Sequence, residues 1–236
     1  MAKRTPPAGA EDRPPGRFAG LGQDHLALLG AAGVVHAWSR GEILMRQGER
    51  GDRAILLRQG LVKITTESAN GYTSLLAFRG PGELVGELAV LDGGARSATV
   101  TAVRPVRGVI IPASRFAALI QEHGDLALAV LRGVSGRLRH SDRHREALGS
   151  RSAAVRIAHV LLEFAERHGT AAADRGPTAL AVSMTQQELA GAAGTSRESV
   201  VRTLRDLHDL GLVAMARGVV VVLDPAKLDS WDSDSG

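Results

Sequence analysis

Between residues 34 and 112, short runs of Val, Ile, Leu and Thr alternate with turns that carry Gly41, Gly48, Gly51, Gly60, Gly71, Gly80 and Gly93-Gly94. Brief apolar segments parted by glycine at this spacing predict short strands closing into a small β-roll or barrel. An apolar run over residues 26–35 precedes them and predicts a short helix capped near Asp24. Beyond residue 112 the period lengthens. Residues 114–123 predict a short helix and residues 125–148 a long one. Along the long helix Leu131, Val134, Leu138, Ser141, Arg145 and Leu148 follow at steps of three, four, three, four and three. That is a heptad seam, apolar in its first half and polar in its second. A break falls around residues 149–154, with Ser152 placed to cap the next helix. Residues 156–168 carry Ile157, Val160, Leu161 and Phe164 on one side, an amphipathic pattern. An Ala- and Gly-rich loop is expected over residues 169–178.

Residues 184–210 read MTQQELAGAAGTSRESVVRTLRDLHDL. Thr185 followed by Glu188 three positions on is a capping box opening a helix. Gly194 stops that helix, and Thr195 or Ser196 caps the next. Leu189, Ala193, Val200, Val201 and Leu204 give the two helices an apolar contact, and the Ala190-to-Gly194 spacing lets them approach closely. This is the pattern of a helix-turn-helix. Residues 213–215 and 219–223 predict a two-stranded wing. The tail over residues 224–236, with Asp224, Asp229, Asp232 and Asp234, and the leader over residues 1–18, with Pro6-Pro7 and Pro14-Pro15, are expected to be disordered.

The candidate chemistry lies in two places. The first is residues 82–100, GELVGELAVLDGGARSATV. They predict a short strand, one turn of helix after Gly86, a Gly-rich loop and a second strand. Backbone N–H groups at the start of a helical turn are unpaired and form a seat for an anion. Gly86 lets a ligand approach the backbone, and Arg96 brings a planar cation suited to phosphate. Glu87 repels a phosphate, so it must face another group, and a sugar hydroxyl can donate to it. One anion beside one hydroxyl describes a cyclic nucleotide. Leu75, Leu76, Ala77 and Val85 are expected to be core residues that also wall a bound base. The second place is the later helix of the pair, which carries Ser196, Arg197, Glu198, Ser199, Arg202 and Arg205. Arg can donate to O6 and N7 of guanine, and Glu can accept from N4 of cytosine. A helix that seeks only phosphates gains nothing from Glu198.

The Gly-Glu-Leu…Arg-Ser-Ala pattern of residues 86–98 resembles the phosphate-binding cassette of cyclic-nucleotide-binding domains. Over about residues 19–223 the chain resembles the cyclic-AMP receptor protein (catabolite activator) family of bacterial transcription regulators. The Ser-Arg-Glu-Ser-Val-x-Arg string from Ser196 matches that family at each fixed position, and Thr185 and Gln187 match its backbone-contacting residues. The resemblance implies an α+β chain with a jelly-roll cyclic-nucleotide-binding domain (19–124), a dimerisation helix and hinge (125–150) and a winged helix-turn-helix (151–223). It implies nucleotide contacts from Leu76, Val85, Gly86, Glu87, Leu88, Arg96 and Ser97. Ser141 and Asp142 fall where the family places a Thr/Ser-type pair that reaches the base across a homodimer. Ser141 keeps the hydroxyl, whereas Asp142 departs from the pattern, so the base is left open between cyclic AMP, cyclic GMP, cyclic di-GMP and no ligand at all. The Asp-containing hinge common in the family is replaced by Gly149-Ser150-Arg151-Ser152-Ala153-Ala154. Implied partners are double-stranded DNA with an inverted repeat, a second copy of the chain and RNA polymerase.

Composition narrows the remaining classes. A chain of 236 residues can bury a core and most naturally makes two domains. It has no cysteine, which excludes disulfides, thiolate zinc sites and cysteine-held iron–sulfur clusters. No run approaches the ~20 apolar residues of a membrane span, and no apolar segment follows Met-Ala-Lys-Arg as a signal peptide requires, so a cytoplasmic protein is expected. The net charge of +4 does not by itself indicate nucleic acid, and lysine occurs only at Lys3, Lys63 and Lys227. His140 and His144 have the i, i+4 spacing of metal ligands, but no third ligand accompanies them and a solvated helix face is expected. No nucleophile–base grouping supports the alternative of a nucleotide-controlled enzyme.

Overall fold

The computed structural model describes residues 21–231 apart from Asn70 and Tyr72, with the side chains of His144, Arg145, Ala147 and Leu148 excluded. The expected leader, the end of the acidic tail, and the side chains at seam positions Arg145 and Leu148 lie outside the described residues. Helix α1 (Gln23–Ala31) leads into β1 (Val34–Trp38), β2 (Ile43–Met45), β3 (Arg53–Gln59), β4 (Val62–Glu67), β5 (Thr73–Arg79) and β6 (Leu84–Val85). Helix α2 (Glu87–Leu91) interrupts the strands, which resume as β7 (Thr99–Ala102) and β8 (Val106–Pro112). They build two antiparallel sheets, ordered β1-β8-β3-β6 and β2-β7-β4-β5. The expected roll is therefore present.

Alternation along β3 shows how it is held. Ile55 and Leu57 face inward, where they meet Val62, Val100 and Val106 between the sheets. Ala54 and Leu56 face the other way and pack with Leu29, Phe116, Leu119 and Leu126 from the helices. Helix α1 begins earlier than the apolar run suggests, capped by Gly22 rather than Asp24, and Val34 and Val35 belong to β1. His25 sets this start, because its Nδ1 accepts from the Gly22 N–H at 3.2 Å while Nε2 lies 3.0 Å from Asp125 Oδ2. Leu76 is a second correction. It is the extra residue of a bulge, where Ile64 pairs with Ala77 but Thr65 with Leu75. It is 51% exposed rather than core.

Helices α3 (Ala113–Glu122) and α4 (Gly124–Ser150) follow the roll, and α5 (Ala153–His168) opens the second unit. Ser152 Oγ accepts from Val155 N at 3.3 Å, as its capping position predicts. On α4 the seam residues Leu131 and Leu138 are 58% and 59% exposed among the described residues. Strands β9 (Thr170–Ala171) and β10 (Leu180–Val182), helices α6 (Gln186–Ala193) and α7 (Arg197–Asp209), strands β11 (Val213–Ala216) and β12 (Val219–Val222) and helix α8 (Pro225–Asp229) complete the chain. The wing is part of a four-stranded sheet, β11-β12-β10-β9, so the expected loop over residues 169–178 contains a strand. The start of the acidic tail is also ordered. Asp224 Oδ1 accepts from Lys227 N at 3.1 Å, Pro225 sits in the first helical turn, and Leu228 is buried.

The two units share a core. Leu61, Leu75, Phe78 and Val103 of the roll cluster with Phe164, Leu189 and Leu204 of the helix-turn-helix unit. The Phe78 ring meets Phe164 edge-on at 5.0 Å. Around this dry contact Lys63 of β4 pairs with Glu188, and Arg104 donates to the His168 carbonyl at 2.8 Å at the end of α5. Gly191 of α6 touches β5 so closely that a Cβ would come within 2.6 Å of Ser74 Cα.

His168 lies at this joint, 5.7 Å from the Phe78 ring. Burial, then the charges of Arg79, Arg167 and Arg104, push its imidazole down to about 4. The folded chain therefore keeps His168 neutral where the unfolded chain binds a proton, between pH ~6.5 and the folded value. In that window stability rises with pH. Acidifying from pH 7 to pH 4.5 should remove on the order of 2 kcal/mol through this group. His168→Gln should flatten that part of the urea-denaturation profile, and the difference between the two profiles is the measurement.

Candidate functional site

Gly86 is the centre of the cassette. It has φ +79, a left-handed conformation that glycine adopts without strain, and it caps α2. A Cβ there would lie 2.6 Å from Arg96 Nη1 and 2.6 Å from Met45 Sδ, so the site requires glycine for space as well. Arg96 Nη1 donates to the Gly86 carbonyl at 2.6 Å. Its Nη2 donates to the Arg53 carbonyl at 2.6 Å and to Asp52 Oδ1 at 3.1 Å. These bonds engage three of the five N–H donors of the guanidinium. Arg96 is 4% exposed. Burial pulls its pKa below the ordinary arginine value, and the hydrogen bond and charge of Asp52 oppose that shift.

Glu87 follows Gly86 directly and is 3% exposed. Arg137 of α4 donates to its Oε1. Arg96 is thus bonded to the Gly86 carbonyl, and the next residue, Glu87, is turned to Arg137 of α4. Behind them Arg79 Nε lies 3.4 Å from Glu83 Oε1, and Glu83 Oε2 accepts from Gly80 N at 2.8 Å. Burial is the larger influence on both, raising the pKa of Glu83 and lowering that of Arg79. Val85 is buried between the sheets, whereas Leu88 and Ser97 are exposed beside the cassette. Ser141 and Asp142 are exposed on α4, and Ser141 stands one turn beyond Arg137 on the same face.

The helix-turn-helix is assembled by caps. Thr185 Oγ1 accepts from Glu188 N at 3.1 Å, and Glu188 Oε2 accepts from Thr185 N at 2.8 Å. Gly194, with φ +59, ends α6. Arg156 of α5 donates to the Ala193 carbonyl at 3.0 Å and the Gly194 carbonyl at 3.2 Å, placing a cation at the negative end of α6. Ser196, not Thr195, caps α7, its Oγ accepting from Ser199 N at 3.2 Å. Thr185 is exposed and Gln187 half-buried. Arg197, Glu198, Arg202 and Arg205 line one open surface of α7 together with Val201 and Asp206. The Glu198 carboxyl is held below the usual range by its own amide, the Ser196 hydroxyl and Arg197, in that order. Val201 corrects the sequence reading, since it faces solvent rather than α6.

Several participants carry no local signal. Asp52 reaches Arg96 across 44 positions and Arg137 reaches Glu87 across 50. Arg137 alone had a readable hint, lying four residues before Ser141. His140 Nε2 lies 3.5 Å from Glu163 Oε1, and no group of three or more metal-ligating side chains occurs among the described residues. No helix among them is long and apolar enough to cross a membrane.

Comparison with known proteins agrees with this geometry. A family model described as a cyclic nucleotide-binding domain matches residues 35–123, and one described as a Crp-like helix-turn-helix domain matches residues 155–231. A cyclic AMP receptor protein from Thermus thermophilus is 32% identical over 212 residues, covering 90% of this chain and 94% of the relative. A CRP-like cAMP-activated global transcriptional regulator from Mycobacterium tuberculosis is 29% identical over 213 residues, with coverages of 90% and 94%. The fold also matches the c-di-GMP-responsive regulator CLP of Xanthomonas campestris, with TM-score 0.72, 21% identity and coverages of 85% and 99%.

Removing Arg137 should expose what Glu87 requires. Arg137→Ala leaves a buried carboxylate without its cation and should cost roughly 3 kcal/mol at pH 7, the low end for breaking a buried pair because Arg137 is partly exposed. Adding Glu87→Gln should return much of that loss. Urea denaturation of the single and double variants reads the difference, and equal losses would show that the pair does not stabilise the fold.

Proposed function

The chain belongs to the cyclic AMP receptor protein family of transcription regulators, with a cyclic-nucleotide-binding domain and a helix-turn-helix, and on that footing we propose that it is a cytoplasmic homodimer that binds cyclic AMP and then an inverted repeat in DNA. The observation that carries the ligand reading is the buried Arg96 bonded to the Gly86 carbonyl beside the buried carboxylate of Glu87, the next residue. Arg96 retains two N–H donors for the cyclic phosphate beyond the three it uses internally. The first N–H groups of α2 complete that seat. Glu87 accepts from the ribose hydroxyl, with Arg137 holding its charge. Val85 and Leu88 border the sugar and base, Ser97 adds a hydroxyl beside Arg96, and Leu76 lies farther out on β5. Ser141 and Asp142 reach the base from the partner's long helix. Cyclic AMP is favoured because the relatives that are 29% and 32% identical are named for it. Cyclic GMP, cyclic di-GMP and action without a ligand are the alternatives that Asp142 and the altered hinge over residues 149–154 motivate.

Dimerisation is supported by the exposed Leu131 and Leu138 stripe of α4. Paired long helices set two copies of α7 in two-fold relation, which favours an inverted repeat, and the Ser196-Arg197-Glu198 match to the family implies half-sites resembling its TGTGA type. Arg197 reads guanine, Glu198 the cytosine opposite, and Arg202 a neighbouring guanine or phosphate. Arg205, Ser196, Ser199, Thr185 and Gln187 hold the backbone, and RNA polymerase is the further partner this role implies. The domain boundaries near residues 124 and 150 are those on which this division of labour rests.

Titration calorimetry tests the ligand. The native chain should bind cyclic AMP more tightly than cyclic GMP or cyclic di-GMP. Arg96→Ala should nearly abolish binding while the protein stays folded. A 2′-deoxy analogue should lose ~1–3 kcal/mol, the range for a hydrogen bond to a charged group, and that loss should shrink in Glu87→Gln. Unchanged affinity in Arg96→Ala would remove the cassette assignment.

A further inference from the structure

The outward face of α7 carries Arg197, Glu198, Arg202, Arg205 and Asp206, and a single aliphatic side chain stands among them. Val201 is 45% exposed, while its neighbour Val200 is fully buried in the core shared with Leu189 and Ala193. Nothing local calls for valine there. A β-branched residue is a weaker helix former than Ala, Arg or Lys, and Val201 keeps 45% of its surface open among the described residues. Its place on the helix is informative. Val201 lies four residues after Arg197, three after Glu198 and four before Arg205, so all four share one helical face.

We infer that Val201 reads thymine, packing its methyl groups against the C5-methyl in the major groove. The inference rests on α7 being the recognition helix. Valine has no donor or acceptor, so it is blind to O6, N7 and N4. Thymine is the base that presents an apolar group on its major-groove edge. The charged heads of Val201's neighbours gain nothing from that methyl, whereas an apolar side chain can pack against it. One helical turn from Arg197 is ~6 Å along the axis, and base pairs stack at ~3.4 Å. The thymine therefore lies within two base pairs of the pair read by Arg197. The face of α7 thus reads an acceptor edge through Arg197, a donor through Glu198 and a methyl through Val201.

The test compares thymine with uracil, which differ only in that methyl. A preferred duplex is first selected from randomised sequences by the native chain, by Val201→Ala and by Arg197→Ala. Deoxyuridine then replaces each thymine within two base pairs of the Arg197 position in turn, and affinity is measured by fluorescence anisotropy. The native chain should lose about fourfold per half-site at one symmetric pair of positions, the ratio for ~0.8 kcal/mol per buried methylene-sized group. Val201→Ala should fold normally, bind the thymine duplex about as weakly as the native chain binds the uracil duplex, and be indifferent to the exchange. Equal native affinity for thymine and uracil at every position overturns the role of Val201. An unchanged selected sequence for Arg197→Ala instead overturns the assignment of α7 itself, so the two failures are distinguishable.

Discussion

A carboxylate taken out of water needs a cation, and in this chain that need ties the roll to the long helix. Glu87 is fixed at the start of α2 by the left-handed turn at Gly86, and its charge is met by Arg137 of α4. Arg96 in turn is bound to the carbonyl of that glycine, to the Arg53 carbonyl and to Asp52. A group that engages either charge changes what the other elements must neutralise, because buried ion pairs are sensitive to the loss or gain of a partner. The cassette is thereby joined to β3 through Arg96 and to α4 through Glu87. This is the physical form that ligand control takes in our proposal. A ligand acts only as far as it binds one arrangement of these charges better than another.

The second joint explains why α7 is free. One side of α6 packs on β5 and the other on α7, so α6 is held between them while α7 presents an outward face. Phe78 inserts into the helix-turn-helix core, and the next residue, Arg79, belongs to the ion pair with Glu83 behind the cassette. Strand β5 therefore touches both functional regions through adjacent residues. Polar closure of the joint comes from Lys63 and Arg104 of the roll, one at the start of α6 and one at the end of α5.

Where a structure is made by neighbours in the chain, it was legible in the sequence. The Thr185–Glu188 box, the Gly194 stop, the Ser152 cap and the Gly86 turn each lie within a few residues and formed as their chemistry dictates. The roll followed from apolar runs between glycines, and the helices after it from the change of period beyond residue 112. What the pattern missed depends on distance. Lys63 finds Glu188 across 125 positions, and no spacing announces it. Helix α8 was hidden by the Asp- and Ser-rich tail in which it lies, although Leu228 is buried in the core and Trp231 packs against it. Val201 was misplaced because two adjacent valines fit the same apolar count, and only the phase of α7 separates the buried one from the exposed one. Leu76 was misplaced because a bulge breaks the alternation on which the strand reading relied.

The central claim is that nucleotide and DNA binding are coupled in one molecule. The most direct measurement closes a thermodynamic cycle, with DNA affinity for an inverted-repeat duplex determined with and without saturating cyclic AMP, and cyclic AMP affinity determined with and without that duplex. The account predicts that the nucleotide tightens DNA binding by a factor that lies within the roughly 5–150-fold of typical couplings, and that DNA tightens nucleotide binding by the same factor. Equal DNA affinity with and without the nucleotide, in a chain that binds both, would contradict it.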